Sequence, residues 1–213
     1  MISSGNVDFD SFLGQGFEKK LISLVYGPAA SGKTTLCLQA ALNVAKNGRV
    51  LFVDSENGFS TERLKQMNPS CDSILSNIVV LRARNYEEQM KIFGKLNEIM
   101  RAGSFNLLII DTIGIHYRKA LRDLDYNYVN EKMIGSLRML KHLAEDYDVP
   151  ILMTNQVYTN MKGENVSVGG NMLKNFGKYL VEFKVEPRRA VMLKPKEKIF
   201  HFDIDDKGIK KLS

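Results

Sequence analysis

An apolar run, Leu21-Ile22-Ser23-Leu24-Val25-Tyr26, passes directly into Gly27-Pro28-Ala29-Ala30-Ser31-Gly32-Lys33-Thr34, and that octapeptide into good helix formers from Leu36 to Leu42. The octapeptide satisfies GxxxxGK[ST] at every fixed position. Small residues let backbone N–H groups curl around a phosphate, and the start of the following helix adds positive potential. Lys33 is placed to neutralise β- and γ-phosphates, and the Thr34 hydroxyl to hold Mg2+. With Thr35, the segment from Gly27 is the candidate nucleotide-binding loop. A strand, a tight loop and a helix in this order place a ligand at the carboxyl end of a sheet.

Beyond this segment, short β-rich runs alternate with longer helical ones. Besides 21–26, strands are expected at 50–54, 78–82, 107–111, 151–155, 179–185, 190–194 and 200–204. Leu107-Leu108-Ile109-Ile110 is apolar without a break, the pattern of a strand covered on both faces. Phe200, Phe202 and Ile204 alternate with His201 and Asp203, which suits a strand with one buried face. Met90, Phe93, Leu96 and Met100 recur at helical spacing, as do Met133, Leu137, Leu140 and Ala144. They predict helices over about 86–101 and 130–145. The last three strands leave no room for helices between them. The expected fold is α/β, a doubly wound and mostly parallel sheet with a C-terminal antiparallel extension.

The 213 residues, 44% hydrophobic and 25% charged, suit one globular domain, taken as 1–213. No apolar run approaches the roughly 18 residues of a membrane span, and no secretory leader is visible. Cys37 and Cys71 have neither ligand nor disulfide spacing, so a reduced, cytoplasmic chain without membrane contact is expected. Cys71 is expected in a loop. His116, His142 and His201 are scattered, which predicts no metal beyond Mg2+. Net charge is +6, of which residues 184–213 carry +4. A basic end favours polyanionic partners, although a solvated surface has the same count.

A nucleotide site also needs a metal-holding carboxylate and a group that activates water. The run at 107–110 delivers Asp111, beside Thr112, at its carboxyl end. An ionised group there is costly unless a cation or hydrogen bonds offset it, which makes Asp111, with Thr34, the expected Mg2+ pair. For the base, Val53-Asp54-Ser55-Glu56 puts either Asp54 or Glu56 at the same edge. Asn155-Gln156 ends another strand with an amide able to donate towards a γ-phosphate. From spacing alone, each of these serves equally well to cap a loop.

Taken in order, GPAASGKT, VDSENGFSTERL, LLIIDT, MTNQV and VGGN resemble the RecA-type recombinase core, closest to its archaeal and eukaryotic RadA branch. Ile2-Ser3-Ser4-Gly5 and Phe17-Glu18 resemble that branch's lead-in, so the similarity runs from about residue 2 to about residue 210. The resemblance implies a RecA-like P-loop NTPase core that binds ATP and Mg2+. It implies that Glu56 polarises the attacking water, with Lys33 and Gln156 as catalytic partners. Gln156 would couple γ-phosphate occupancy to a DNA-binding loop at roughly 157–170, a stretch that reads as mobile without nucleic acid, and Arg63 would stack on adenine. The implied role is in DNA repair and homologous recombination. The implied partners are DNA, single-stranded for preference, other recombination proteins such as a RadA-type recombinase, and further copies in a homo-oligomer. The chain starts almost at this core, so the helical N-terminal domain and the Phe-x-x-Ala joining motif of full recombinases are expected to be absent. That points to a short accessory paralogue. Pro28-Ala29-Ala30 lacks the interior glycine common in relatives, which implies weak or DNA-modulated hydrolysis.

Arg118, Lys119 and Arg122, with Tyr117 and Tyr126 to Tyr128, lie where the family's first DNA-binding loop falls. Basic and aromatic interleaving suits single strands, and equally an amphipathic surface loop. Lys162 falls within the second loop. Lys194, Lys196 and Lys198 alternate and are expected to project from one side of a strand towards DNA, with Pro195 marking an edge or turn. The alternatives for Lys194 and Lys196 are a neighbouring subunit's ATP, which a Lys-x-Lys pair of bacterial RecA reaches, or a solvated hairpin. A KaiC-like regulatory ATPase acting through protein partners shares this core and is the competing functional class.

Overall fold

The computed structural model describes residues 1–159 and 165–212. In chain order its elements are α1 (Val7–Leu13), β1 (Ile22–Gly27), α2 (Lys33–Ala45), β2 (Val50–Asp54), α3 (Thr61–Met67), a 3-10 helix (Cys71–Asn77), β3 (Ile78–Arg82), α4 (Tyr86–Gly103), β4 (Leu107–Asp111), α5 (Ile115–Asp123), α6 (Tyr126–Asp146), β5 (Ile151–Thr159), β6 (Asn165–Ser167), α7 (Gly170–Phe176), β7 (Tyr179–Val185), β8 (Arg188–Lys194), β9 (Lys198–Asp205) and β10 (Gly208–Lys211). The strands form one sheet in the order β10-β9-β8-β7-β1-β5-β4-β2-β3, with β6 paired only to β5. From β7 to β3 the neighbours are parallel, and β7 to β10 run antiparallel. This is the α/β architecture with a C-terminal antiparallel extension that the periodicity predicts.

The central strands bury both faces, and their side chains divide by alternation. Val50, Phe52, Leu107 and Ile109 join one core with α1, α2 and α3. Leu51, Val53, Leu108 and Ile110 join the other with α4, α5, α6 and α7. A two-sided core requires continuous apolar runs, which is why β2 and β4 begin and end where the sequence places them. Phe9 and Phe12 of α1 meet Phe183, Phe200 and Phe202 in an aromatic cluster with centroid separations of 5.0–6.1 Å. This cluster fastens the antiparallel extension to the body of the sheet. Polar contacts extend the fastening: the Ile209 N–H donates to Gln39 Oε1 of α2 at 2.9 Å, and Asn6 Nδ2 donates to the Ile209 carbonyl.

Helix starts follow their caps. Asn6, Ser60, Asn85 and Asp125 accept from the N–H three residues on and open α1, α3, α4 and α6. The Asp125 cap starts α6 at Tyr126, four residues before the apolar stripe suggests. Cys71 opens a buried 3-10 turn rather than lying in a loop, since the segment packs against the α2 core. The segment carrying Tyr117, Arg118, Lys119, Arg122 and Tyr126 to Tyr128, expected around a loop, is helical in α5 and α6, because Tyr117, Ala120 and Val129 have a core face to bury. The loop expected at 157–170 instead carries the end of β5 and all of β6, paired Val157 to Ser167. Its expected mobility falls in part on residues 160–164, outside the described residues.

Because the aromatic cluster joins the extension to the sheet, Phe202→Ala is expected to cost about 3–5 kcal/mol of stability. Urea denaturation with a single, lower midpoint fits a shared core; an unchanged midpoint shows that the extension folds apart from it.

Candidate nucleotide and nucleic-acid site

β1 ends at Gly27, where the chain turns through the P-loop with close backbone approaches. A Cβ on Gly27 would collide with the Phe183 carbonyl oxygen. Gly32 sits at φ +105°, and a Cβ there would stand 2.7 Å from Ile204 Cδ1. Only glycine meets both demands. Ser31 and Lys33 are buried, while Pro28, Ala29, Ala30, Thr34 and Thr35 are partly or fully open to solvent. α2 opens at Gly32 with no side-chain cap, so its first-turn N–H groups are left to a ligand. Lys33 Nζ donates to the carbonyls of Gly27 (3.0 Å) and Pro28 (2.7 Å). Burial pulls the Lys33 pKa down, against the opposing pull of Asp111 and Glu56.

Asp111 is fully buried at the end of β4. Thr34 Oγ1 donates to its Oδ2 at 2.7 Å, and Thr154 Oγ1 of β5 donates to its Oδ1. Burial raises its pKa, and the two hydroxyls oppose that rise. Thr34 and Asp111 supply two hard oxygens in contact, a set that fits Mg2+ completed by phosphate and water oxygens. Among the described residues no group of three or more His, Cys, Asp or Glu could hold a metal unaided.

Asp54 and Glu56 differ in what each carboxylate touches. Asp54 is buried and accepts the N–H groups of Glu56 (3.2 Å), Gly58 (3.0 Å) and Phe59 (3.1 Å), so it caps the loop. Glu56, carried on that loop, is exposed. Its Oε1 accepts from Thr112 Oγ1 at 2.7 Å and its Oε2 from Gln156 Nε2 at 2.6 Å. Gln156 pairs in register with Gly27, the first residue of the P-loop. The structure thus brings Lys33, Thr34, Asp111, Glu56 and Gln156 to one edge of the sheet.

Arg63 lies beside this edge, its Nη2 donating to the Asp205 carbonyl at 2.6 Å and its Nη1 to Gln66 Oε1 at 3.0 Å. The Arg118 guanidinium stacks over the Tyr158 ring, 4.2 Å from its centroid, and Lys119 and Arg122 are exposed on the same helix. Tyr126 and Tyr128 are exposed, whereas Tyr117 is buried and donates to Asn130 Oδ1. Lys162 is outside the described residues. The lysines of the C-terminal hairpin depart from expectation. β8 ends at Lys194 and β9 begins at Lys198, so a turn separates them. Lys194 Nζ donates to the Lys174 carbonyl of α7 at 3.2 Å, and Lys198 Nζ to the Phe12 carbonyl of α1 at 3.4 Å. α7 and α1 cover opposite faces of the sheet, so these lysines do not project from one side. Lys194 pairs with Leu180 near the start of β7, at the amino edge, away from the P-loop and Arg118.

Several residues of the site, some of them inside the motifs LLIIDT, MTNQV and VDSENGFSTERL, receive no role from the sequence. Thr112 and Thr154 read as ordinary strand-end threonines until their hydroxyls are seen on Glu56 and Asp111. Gly58 packs its backbone against Thr34, where a Cβ would approach Thr34 Cγ2 to 3.1 Å. Arg188 of β8 donates to the Ala30 carbonyl of the P-loop at 3.0 Å, across 158 residues of chain.

Comparisons with known proteins follow the same lines. A family model described as Rad51 matches residues 1–199. The DNA repair and recombination protein RadB of Thermococcus sibiricus is 32% identical, over 98% of this chain and 94% of that protein. The RadB of Methanosphaera stadtmanae is also 32% identical, over 96% of this chain and 93% of that one. A solved structure, the crystal structure of the RadB recombinase, superposes with a TM-score of 0.83 at 30% identity, covering all of both chains. On the strength of the model match and of these near-full-length similarities, the chain belongs to the Rad51 family.

Proposed function

We propose that the chain is a single-domain, ATP-dependent, DNA-binding accessory factor of homologous recombination and DNA repair, similar to the RadB proteins. The observation that carries this reading is the contact between Glu56 and Gln156, on a strand that runs on into the β5–β6 hairpin. The amides of the P-loop and Lys33 bind the β- and γ-phosphates of ATP, and Thr34 and Asp111 hold the accompanying Mg2+, which neutralises phosphate charge. Glu56 takes a proton from water as water attacks the γ-phosphorus, giving ADP and phosphate. Lys33 has to leave two carbonyl partners to reach the phosphates, which accords with slow turnover. Gln156 donates to Glu56 in one state and to the γ-phosphate in the other, and the exchange alters the hairpin it leads into. Arg118 on Tyr158 presents a cationic and aromatic surface beside that hairpin, suited to a single strand. Arg63 holds the adenine side of the site. The partners that fit are single-stranded DNA and a RadA-type recombinase.

Lys33→Ala is expected to abolish ATP binding in calorimetry, whereas Glu56→Gln keeps binding and loses turnover. If Glu56→Gln hydrolyses ATP at the parental rate, another group is the base. Asp54→Ala frees three amides from a charged acceptor and should cost at least about 2 kcal/mol, read as a lower urea midpoint. Fluorescence anisotropy of a dT oligonucleotide should show tighter binding with ATP than with ADP or no nucleotide. Arg118→Ala should reduce the log–log salt slope by about one. An affinity indifferent to nucleotide would remove the proposed coupling.

A further inference from the structure

The carboxyl edge holds a second cavity, of about 610 Å3, between the ends of β2 and β3 and the first turn of α5. It lies on the β3 side of Glu56, with two strands, β5 and β4, between β2 and the P-loop strand β1. Arg82, Arg84 and Lys119 converge on its wall. Among the described residues, the side chains of Arg84 and Lys119 have no hydrogen bond or ion pair, and Arg82 Nε reaches Asp54 only at 3.9 Å. The two carboxylates at the cavity are already engaged: Asp54 accepts three backbone amides, and Glu56 is held by Thr112 and Gln156.

Ser55 supplies an independent observation. It lines the same cavity at 6% exposure, and its Oγ is buried with no hydrogen-bond partner. Buried hydroxyls are normally satisfied, so a donor left without an acceptor beside three cations marks the place of an anion. The helix above adds to this. α5 opens at Gly114 without a side-chain cap and contributes Ile115 and His116 to the wall. His116 Nε2 lies 2.8 Å from the Ala83 carbonyl, which can only accept, so the proton sits on Nε2.

We propose that this cavity is an oxyanion site for a phosphate group, separate from the P-loop. Arg84 and Lys119 neutralise it, Ser55 Oγ donates to it, and the α5 amides complete its coordination. Two sources share this chemistry: inorganic phosphate released by hydrolysis beside Glu56, and a backbone phosphate of a DNA strand crossing α5. Only the origin of the phosphate rests on the function proposed above.

The test has two arms on the full chain. In the first, inorganic phosphate is titrated by calorimetry into protein carrying Lys33→Ala, so that the P-loop lysine contributes nothing, with and without Arg84→Ala or Ser55→Ala. In the second, a dT oligonucleotide is titrated by anisotropy into protein with Lys33 intact and the same two substitutions. Arg84→Ala should weaken phosphate binding at least about tenfold and Ser55→Ala about threefold. Ser55→Ala deletes only an unpartnered hydroxyl and should keep the parental unfolding midpoint. Weakening in the phosphate arm alone identifies released phosphate as the ligand; weakening in the DNA arm identifies a strand. No change in either arm, with the midpoint retained, overturns the site. A parent that binds no DNA would defeat the function proposed above, while the phosphate arm still decides the cavity.

Discussion

The site is organised around the Asp111 carboxylate, fully buried at the carboxyl end of β4. A carboxylate in that position is tolerated only with donors or a cation at hand. Here the donors are two threonine hydroxyls, one from the first turn of α2 and one from β5. Each hydroxyl ties a different element to the same oxygen pair. The arrangement that satisfies the charge is therefore also the arrangement that sets the P-loop helix against the sheet.

Strand register extends that alignment. Asp54 stands opposite Asp111, and Gln156 opposite Gly27, because β2, β4, β5 and β1 are parallel and paired without a bulge. Their carboxyl ends present loops to one edge, as in other open α/β sheets. Asp54 then folds the loop after β2 so that Glu56 faces Thr112 and Gln156. The antiparallel extension contributes from the side, through Arg188 on the Ala30 carbonyl and Ile204 against Gly32.

Much of this was legible in the residues. Parallel strands buried on both faces must be largely apolar, so 50–54 and 107–111 announce themselves with the bounds the structure shows, while the partly exposed 78–82 and 179–185 are marked to the same bounds by their β-rich composition. The P-loop is legible because phosphate chemistry demands fixed spacing. Short helices such as α1 and α7 lack enough turns for a periodic signal and depend on tertiary contacts. The lysines from 194 to 198 alternate in sequence, but alternation presumes a continuous strand, and the turn between β8 and β9 sends Lys194 and Lys198 to opposite faces. Contacts made across long stretches of chain, such as Arg118 on Tyr158, leave no trace in local pattern. The Asp54 and Glu56 ambiguity is of the same kind: two carboxylates two residues apart look alike until one is seen to be occupied by amides.

β5 has neighbours along both sides, β1 and β4, and it projects past them to Thr159. A ribbon clamped between two others cannot slip lengthwise, since a one-residue slip would turn every inward side chain outward. Whatever passes between its two ends must travel as torsion or as a swing of the protruding tip. Under the coupling proposed for Gln156, the overhang beyond it would serve as a lever with its fulcrum inside the sheet, its length setting how far a small rotation of one amide is carried.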